Sequence, residues 1–347
     1  MKKTSLLILS LLSSTVFAQE TLRERFRERI ADRIEQRSGS NYNNGNNSNA
    51  IVEDRRFGRN NQSETNVIET LPAGVVKYEI NVNGQNRYYY EYSSRKMDHH
   101  QYKNKEVVLI YHGGGGSAPS FMNQTKFISS ARDNQILVFL NAEEKNWFDG
   151  RSGMESRKDI DFTNTVINAY RQNGVREFSA TGFSNGAIFT LRLACDGSVD
   201  IDNFAAISGS FASGLQCNAR NGRNVLMMNG TLDNYVKWNG GEIPKSGKTG
   251  VGGSVISVPD TAHYWQRRYR CEHIVERDKN SNKVDHSNVE ISTYACHNGN
   301  FKFYQINGGG HTIPGSTPNP KMEKIVGQTN QDIVAEYEIF KFFDRQN

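Results

Sequence analysis

The spacing of apolar and polar residues divides the chain into three parts. Over residues 20–37, ETLRERFRERIADRIEQR, apolar side chains recur every fourth position at Leu22, Phe26, Ile30 and Ile34, beside acids at Glu20, Glu24, Glu28 and Asp32 and arginines at Arg25, Arg29, Arg33 and Arg37. That period predicts a charged amphipathic helix over 19–37, with i,i+3 pairs such as Glu24 and Arg27 on its surface. Residues 38–70 contain GSNYNNGNNSNA and GRNNQSETN and are nearly devoid of apolar side chains. Such a stretch cannot bury enough surface to order itself, which predicts a flexible linker.

From residue 71 onward the pattern is that of a folded body. Two alternating runs flank Asn83-Gly84 in YEINVNGQNRYYYEY, the signal of a β-hairpin. Short, wholly apolar runs follow, EVVLIY (106–111) and QILVFL (135–140), of the kind expected of strands buried on both faces. Further strands are predicted at EFSATG (177–182), FAAISG (204–209), NVLMMNG (224–230) and FKFYQI (301–306). Helical patterns fall at about 119–133, 159–172, after SNG at 184–186, at VPDTAHYWQRRY (258–269) with Pro259 in the first turn, and at NQDIVAEYEIFKFF (330–343). Strands alternating with helices predict an α/β domain over 71–347, a mostly parallel sheet covered on both faces with an antiparallel hairpin at its N-terminal side.

The N-terminus adds a compartment. Residues 1–18, MKKTSLLILSLLSSTVFA, combine Lys2 and Lys3 with an apolar stretch and a small-residue end, the pattern of a signal peptide cut after Ala18. The apolar run is short for a membrane span, and none of that length recurs. A secreted or periplasmic protein without a transmembrane segment is expected. The formal charge of +5 falls by those two lysines to +3, a mild balance that calls for no nucleic-acid partner. Four cysteines remain, Cys195, Cys217, Cys271 and Cys296. Export makes disulfides plausible, and the sequence-local pairing Cys195–Cys217 and Cys271–Cys296 is favoured because each bond closes a modest loop. Zinc ligation is the rival, but no C-x-x-C spacing supports it.

Within this frame, Gly182-Phe183-Ser184-Asn185-Gly186 is a G-x-S-x-G between a strand and a helix, the setting of a nucleophile elbow. A plain turn serine capping the next helix is the alternative. A serine needs a base, and in such sheets the partners follow in the order serine, acid, histidine. Asp233, three residues past Gly230, lies just beyond a strand. Asp196, Asp200 and Asp202 come too early, Asp260 opens a helix, and Asp278 and Asp285 sit in a polar stretch. GGGHTIPG (308–315) read alone is a glycine-rich turn with a surface histidine. The base must come from the loop after the last strand, and there, directly after FKFYQI and its glycines, stands His311. His263 falls in a helical pattern, and His273, His286 and His297 lie in polar surroundings. The ordered set is Ser184, Asp233 and His311. YHGGGGSA (111–118) supplies backbone N–H groups for an oxyanion, with Gly114 paired to Asn185, and His112 there is an orienting residue rather than a base. A phosphate loop is the other reading of this run, but it lacks the G-K-[ST] ending.

HGGGGSA, NWFDGRSG (146–153), ATGFSNGA, NGTLDNYVKWNGG, SVPDTAHYW and GGGHTIPG occur in the order seen in poly(3-hydroxybutyrate) depolymerases, which the body (roughly 75–345) resembles. That family stands with the feruloyl and acetylxylan esterases of carbohydrate esterase family one. The resemblance implies an α/β-hydrolase fold with no metal or organic cofactor. It assigns Ser184 as nucleophile, Asp233 as acid, His311 as base, and Gly114 and Asn185 to the oxyanion hole. It implies an ester substrate, a hydroxyalkanoate polymer or oligomer first and a plant polysaccharide ester second. Where the family carries tryptophan after His-Thr, at a cleft-lining position, this chain has Ile313; Trp147 and Trp238 either supply aromatic surface instead or are core packing. A different class of function is an exported binding protein that contacts a surface or partner through residues 20–37.

Overall fold

The computed structural model describes residues 71–94, 102–245, 252–281 and 285–344. The signal peptide, the charged helix and the linker expected over residues 1–70 lie outside these residues. The body opens with the expected hairpin, β1 (Val75–Val82) and β2 (Gln85–Ser93), whose partners run from Val82↔Gln85 to Val75↔Tyr92. Asn83 and Gly84 both take positive φ, 51° and 88°, as a two-residue turn between twisted strands requires.

The other strands are β3 (Glu106–Tyr111), β4 (Gln135–Leu140), β5 (Glu177–Phe183), β6 (Asn203–Ile207), β7 (Arg223–Gly230), a two-residue pair β8 (Gly241–Glu242) and β9 (Ser254–Val255), and β10 (Cys271–Ser281), β11 (Asn288–Cys296) and β12 (Gly299–Asn307). All but β8 and β9 join one ten-stranded sheet in the order β1-β2-β4-β3-β5-β6-β7-β12-β11-β10. The six central strands, β4 to β12, pair in parallel, and both flanks are antiparallel. Every residue of β3 and β4 is buried, as their unbroken apolar runs predict.

Alternation along each strand sends side chains to opposite faces. Val107, Leu109 and Tyr111 join Ile136, Val138 and Leu140 in one apolar cluster. That cluster is closed by α3 (Lys158–Gln172), α4 (Asn185–Cys195) and α5 (Val258–Arg268). Val108 and Ile110 join Leu137 and Phe139 in the other, under α1 (Ala118–Gln124), α2 (Phe127–Ser130) and α7 (Ala335–Asp344). A short helix, α6 (Pro320–Val326), buries none of its residues. Because the central strands are parallel, the loops after β3, β5, β7 and β12 all leave from one edge of the sheet, where such folds place their ligand sites.

Two expectations are corrected. The helix expected over 119–133 is two helices, α1 and α2, because Thr125 turns extended (φ −118°, ψ 164°) and its hydroxyl caps the carbonyl of Phe121 at 2.8 Å. The closing helix begins at Ala335 rather than Asn330, since Asn330 and Gln331 are held by side-chain bonds to Ser287 and Asp285 (2.7 and 2.5 Å). The polar stretch that carries Asp278, to which the sequence assigned no element, enters β10, the edge strand of the sheet.

Both disulfides form in the expected pairing, Cys195–Cys217 and Cys271–Cys296. The first fastens the C-terminal end of α4, and the second links two partners in the β10–β11 register. Closing a loop of 22 residues should contribute about 3 kcal/mol by restricting the unfolded chain. Replacing Cys195 and Cys217 by serine should therefore lower the unfolding free energy read from a urea titration by about that much, with a lower midpoint. An unchanged midpoint would mean that the bond does not restrain the chain.

Candidate active site

The serine is delivered by a turn whose flanking glycines, Gly182 and Gly186, leave no room for a side chain. Ser184 sits between β5 and α4 at φ 56°, ψ −121°, a strained conformation of the kind found at functional sites. Its own N–H donates to the carbonyl of Ile207 at 3.0 Å, and its carbonyl accepts from Ala187 and Ile188 at 2.9 Å. A Cβ on Gly182 would come within 2.4 Å of the Gly186 carbonyl oxygen. One on Gly186 would come within 2.4 and 2.5 Å of the carbonyl oxygens of Tyr111 and His112. The first turn of α4 thus rests directly on the end of β3.

The structure brings Ser184, His311 and Asp233 together. His311 Nε2 lies 2.7 Å from Ser184 Oγ, and its Nδ1 lies 2.7 Å from Asp233 Oδ2. The other carboxylate oxygen of Asp233 accepts the N–H groups of Tyr235 and Val236, both at 2.8 Å. With Asp233 accepting, Nδ1 carries the proton and Nε2 offers its lone pair to the serine hydroxyl. The carboxylate is buried and the imidazole nearly so. Phe183 and Tyr235 flank the imidazole, with ring centroids 4.9 and 5.2 Å from it. Both rings were within quoted motifs, GFSNG and NGTLDNYV, yet their pairing on His311 depends on contacts between distant loops.

The glycines before His311 are contact points between backbones. A Cβ on Gly230 would fall 2.3 Å from the Gly309 carbonyl oxygen, and one on Gly310 would fall 2.3 Å from that of Val326. The N–H groups of Gly310 and His311 are bonded to the carbonyls of Gln328 and Val326, at 2.9 and 2.6 Å. The loop is pinned from β7 on one side and the end of α6 on the other.

Gly114 and Asn185 lie side by side, since a Cβ on Gly114 would be 3.3 Å from that of Asn185. Among the described residues neither backbone N–H makes a hydrogen bond. His112 does not touch the serine. Its Nε2 accepts from the N–H of Ala142 at 3.1 Å, so its Nδ1 donates to the Gly113 carbonyl at 2.8 Å. Burial pushes its pKa down to about 4 and keeps the ring neutral.

Of the expected substrate-binding residues, Trp147 is corrected to core packing: it is completely buried, stacks on Phe189, meets Tyr111 edge-on, and donates through Nε1 to the His112 carbonyl at 2.9 Å. Ile313 packs in the apolar cluster under α7 and is 8% exposed, as is His311. Trp238 is half-buried and stacks on Phe303. Sequence reasoning missed the exposed apolar side chains beside the site, Leu232, Met322 and Ile325, whose isolated positions in polar stretches carry no periodic signal. Among the described residues no group of three or more His, Cys, Asp or Glu side chains is arranged to hold a metal, and no helix is long and apolar enough to cross a membrane.

A ten-stranded, centrally parallel sheet with a serine on a strand–helix elbow, and an acid and a histidine on later strand-end loops, is the α/β-hydrolase fold. No family model matches the chain, and no curated protein matches it. Solved structures similar to it include an acetyl xylan esterase from Aspergillus awamori (13% identity, TM-score 0.46, over 72% of this chain and 97% of that one). An S-formylglutathione hydrolase from Staphylococcus aureus is similar at 12% identity and TM-score 0.37, over 46% and 80% of the two chains. A siderophore hydrolase from Aspergillus nidulans follows at 16% identity and TM-score 0.34, over 48% and 72%. At these values the likeness carries no argument about what this chain acts on.

The neutral His112 makes the site acid-sensitive. The unfolded chain protonates this residue near pH 6.5, whereas the folded chain holds off the proton to about pH 4. His112 therefore contributes stability above pH 6.5 that is lost as pH falls through that window. Against His112→Gln, which shares every carboxylate, the unsubstituted protein should lose stability more steeply between pH 6.5 and 4 in urea titrations. Parallel curves would contradict the assignment.

Proposed function

We propose that the protein is an exported serine hydrolase of carboxylic esters. The observation that carries this reading is the hydrogen-bonded line from Ser184 Oγ through His311 to Asp233. Ser184 Oγ attacks the ester carbonyl while His311 Nε2 takes its proton. The N–H groups of Gly114 and Asn185 receive the oxygen that becomes negative. Collapse of the tetrahedral intermediate breaks the ester bond, and His311 returns the proton to the departing alcohol. Water, deprotonated by the same nitrogen, then attacks the acyl-serine and releases the acid. Asp233 holds the imidazole in the required tautomer and stabilises its charged form throughout. Export is supported by the pattern of residues 1–18 and by the two disulfides.

The substrate we favour is a hydroxyalkanoate polyester or its oligomers. Six ordered motifs point there, and the surface supports it. Leu232, Met322 and Ile325 are 67%, 46% and 53% exposed, the large apolar side chains left open among the described residues. They stand on segments tied to the acid and the base: Leu232 precedes Asp233, and α6, which carries Met322 and Ile325, is bonded to both loops, the Ile325 carbonyl accepting from Asn234 at 2.5 Å and the Val326 carbonyl from the N–H of His311. An aliphatic chain lying over this face would bring its ester groups to Ser184. The apolar face suits such a chain better than a hydroxyl-rich polysaccharide.

Ser184→Ala should lower hydrolysis of p-nitrophenyl butyrate by at least about 10³-fold without changing the melting curve. Retained activity would refute the mechanism. On a panel of 3-hydroxybutyrate oligomers, methyl ferulate and acetylated xylan, the oligomers should show the highest kcat/KM. A preference for ferulate or xylan would move the substrate to plant polysaccharide esters. The double substitution Met322→Ser/Ile325→Ser should lower kcat/KM for the oligomers roughly threefold to tenfold more than for p-nitrophenyl acetate. Equal losses would remove the apolar face from the account.

A further inference from the structure

The segment NWFDGR (146–151) has no part in the triad, yet it is bonded to the side chain of Asn185 and to the backbone of the loop that carries Gly114. The side chain of Asn185 makes three hydrogen bonds, all to this segment. Its Oδ1 accepts from the N–H of Trp147 at 2.8 Å, and its Nδ2 donates to the Trp147 carbonyl at 3.0 Å and to Asp149 Oδ2 at 2.7 Å. Asp149 is completely buried and paired with Arg151, whose Nε and Nη2 lie 2.9 and 2.8 Å from the same oxygen. Arg151 is itself buried and reaches on to the Gly252 carbonyl at 3.0 Å. From α4, Arg192 donates to the carbonyls of Phe148 and Met154, at 2.5 and 3.2 Å.

The other donor loop is held by the same stretch of chain. The N–H of Gly115 donates to the Lys145 carbonyl at 2.8 Å, and Trp147 Nε1 donates to that of His112 at 2.9 Å. Asn146 Oδ1 lies where a Cβ on Gly114 would touch it, at 3.0 Å. One short loop therefore sets the spacing between Gly114 and Asn185. A buried ion pair is no more stable than an apolar packing of equal volume, so stability alone gives no reason for a charge at Asp149.

We propose that Asp149, held by Arg151, is a positioning residue for the oxyanion hole, acting through the side chain of Asn185 to hold the Asn185 N–H opposite that of Gly114. The inference rests on the serine-hydrolase reading above. Donors for a developing oxyanion act only within about 2.7–3.1 Å of it, so a small displacement of one donor weakens the transition state while leaving substrate binding intact.

The test uses the full chain, with Asp149→Asn, Asn185→Ala and Arg151→Lys. Asp149→Asn keeps the shape and an acceptor but loses the charge. Asn185→Ala keeps the backbone N–H and loses its ties. In both, kcat should fall about 10- to 100-fold with KM within twofold. Affinity for a trifluoromethyl ketone, which forms a tetrahedral oxyanion on the serine, should weaken by the same factor. Arg151→Lys, which retains a cation for Asp149, should show a smaller loss. Wild-type kcat in Asn185→Ala and Asp149→Asn, or a raised KM with unchanged ketone affinity, would overturn the proposal. If Asp149→Asn does not fold, Asn185→Ala decides alone. An unsubstituted protein that turns over no ester would defeat the serine-hydrolase reading and this inference with it. An active protein with unaffected variants would defeat only the inference.

Discussion

The contact on which the rest of the site depends is the one between the first turn of α4 and the end of β3. There the α-carbon of Gly186 faces the carbonyls of Tyr111 and His112 with no room for a methyl group. Two backbones at this distance fix the start of the helix relative to the sheet, and Ser184 must then bridge β5 and α4 in a left-handed turn (φ 56°). Such a conformation costs on the order of 1–3 kcal/mol, and the surrounding structure offsets it. In return the serine hydroxyl meets His311, and Asn185 comes to rest against Gly114.

A second pair of backbone contacts delivers the other half of the site. Gly230 meets Gly309 where β7 and β12 end side by side, and Gly310 meets the chain leaving α6. The loop carrying Asp233 and the loop carrying His311 are thereby joined before any side chain is considered. The short bonds from Asp233 to His311 and from His311 to Ser184 follow from this placement. Glycine serves here through its lack of a side chain, since hydrogen bonds hold Gly310 and His311 in place. The conformational freedom that three consecutive glycines suggest is absent from this pinned loop.

The central fold was legible because β3 and β4 are buried on both faces and therefore read as unbroken apolar runs. The meeting of Ser184, Asp233 and His311 was legible because a parallel sheet confines them to strand-end loops in a set order. Other features depend on contacts that no local pattern encodes. The edge strand β10 is paired to β11 through backbone bonds, and its charged sequence carries no apolar alternation that would announce a strand. The break at Thr125 splits a helical period that continues unbroken in the sequence. Trp147 occurs in a motif with the look of a binding loop, but its indole points back into the core between Tyr111 and Phe189. Ile313 takes part in the packing beneath the histidine loop. The ties from Asn185 to residues 147 and 149 join segments more than thirty positions apart, and neither segment announces the other.

The central claim is that Ser184 is a nucleophile activated through His311. It is tested most directly by treating the protein with diisopropyl fluorophosphate and mapping the adduct by peptide mass spectrometry. The account predicts one phosphoryl group, on Ser184, with labelling that fades when His311 is replaced by glutamine. Labelling at another residue, or equally fast labelling of Ser184 without His311, would contradict it.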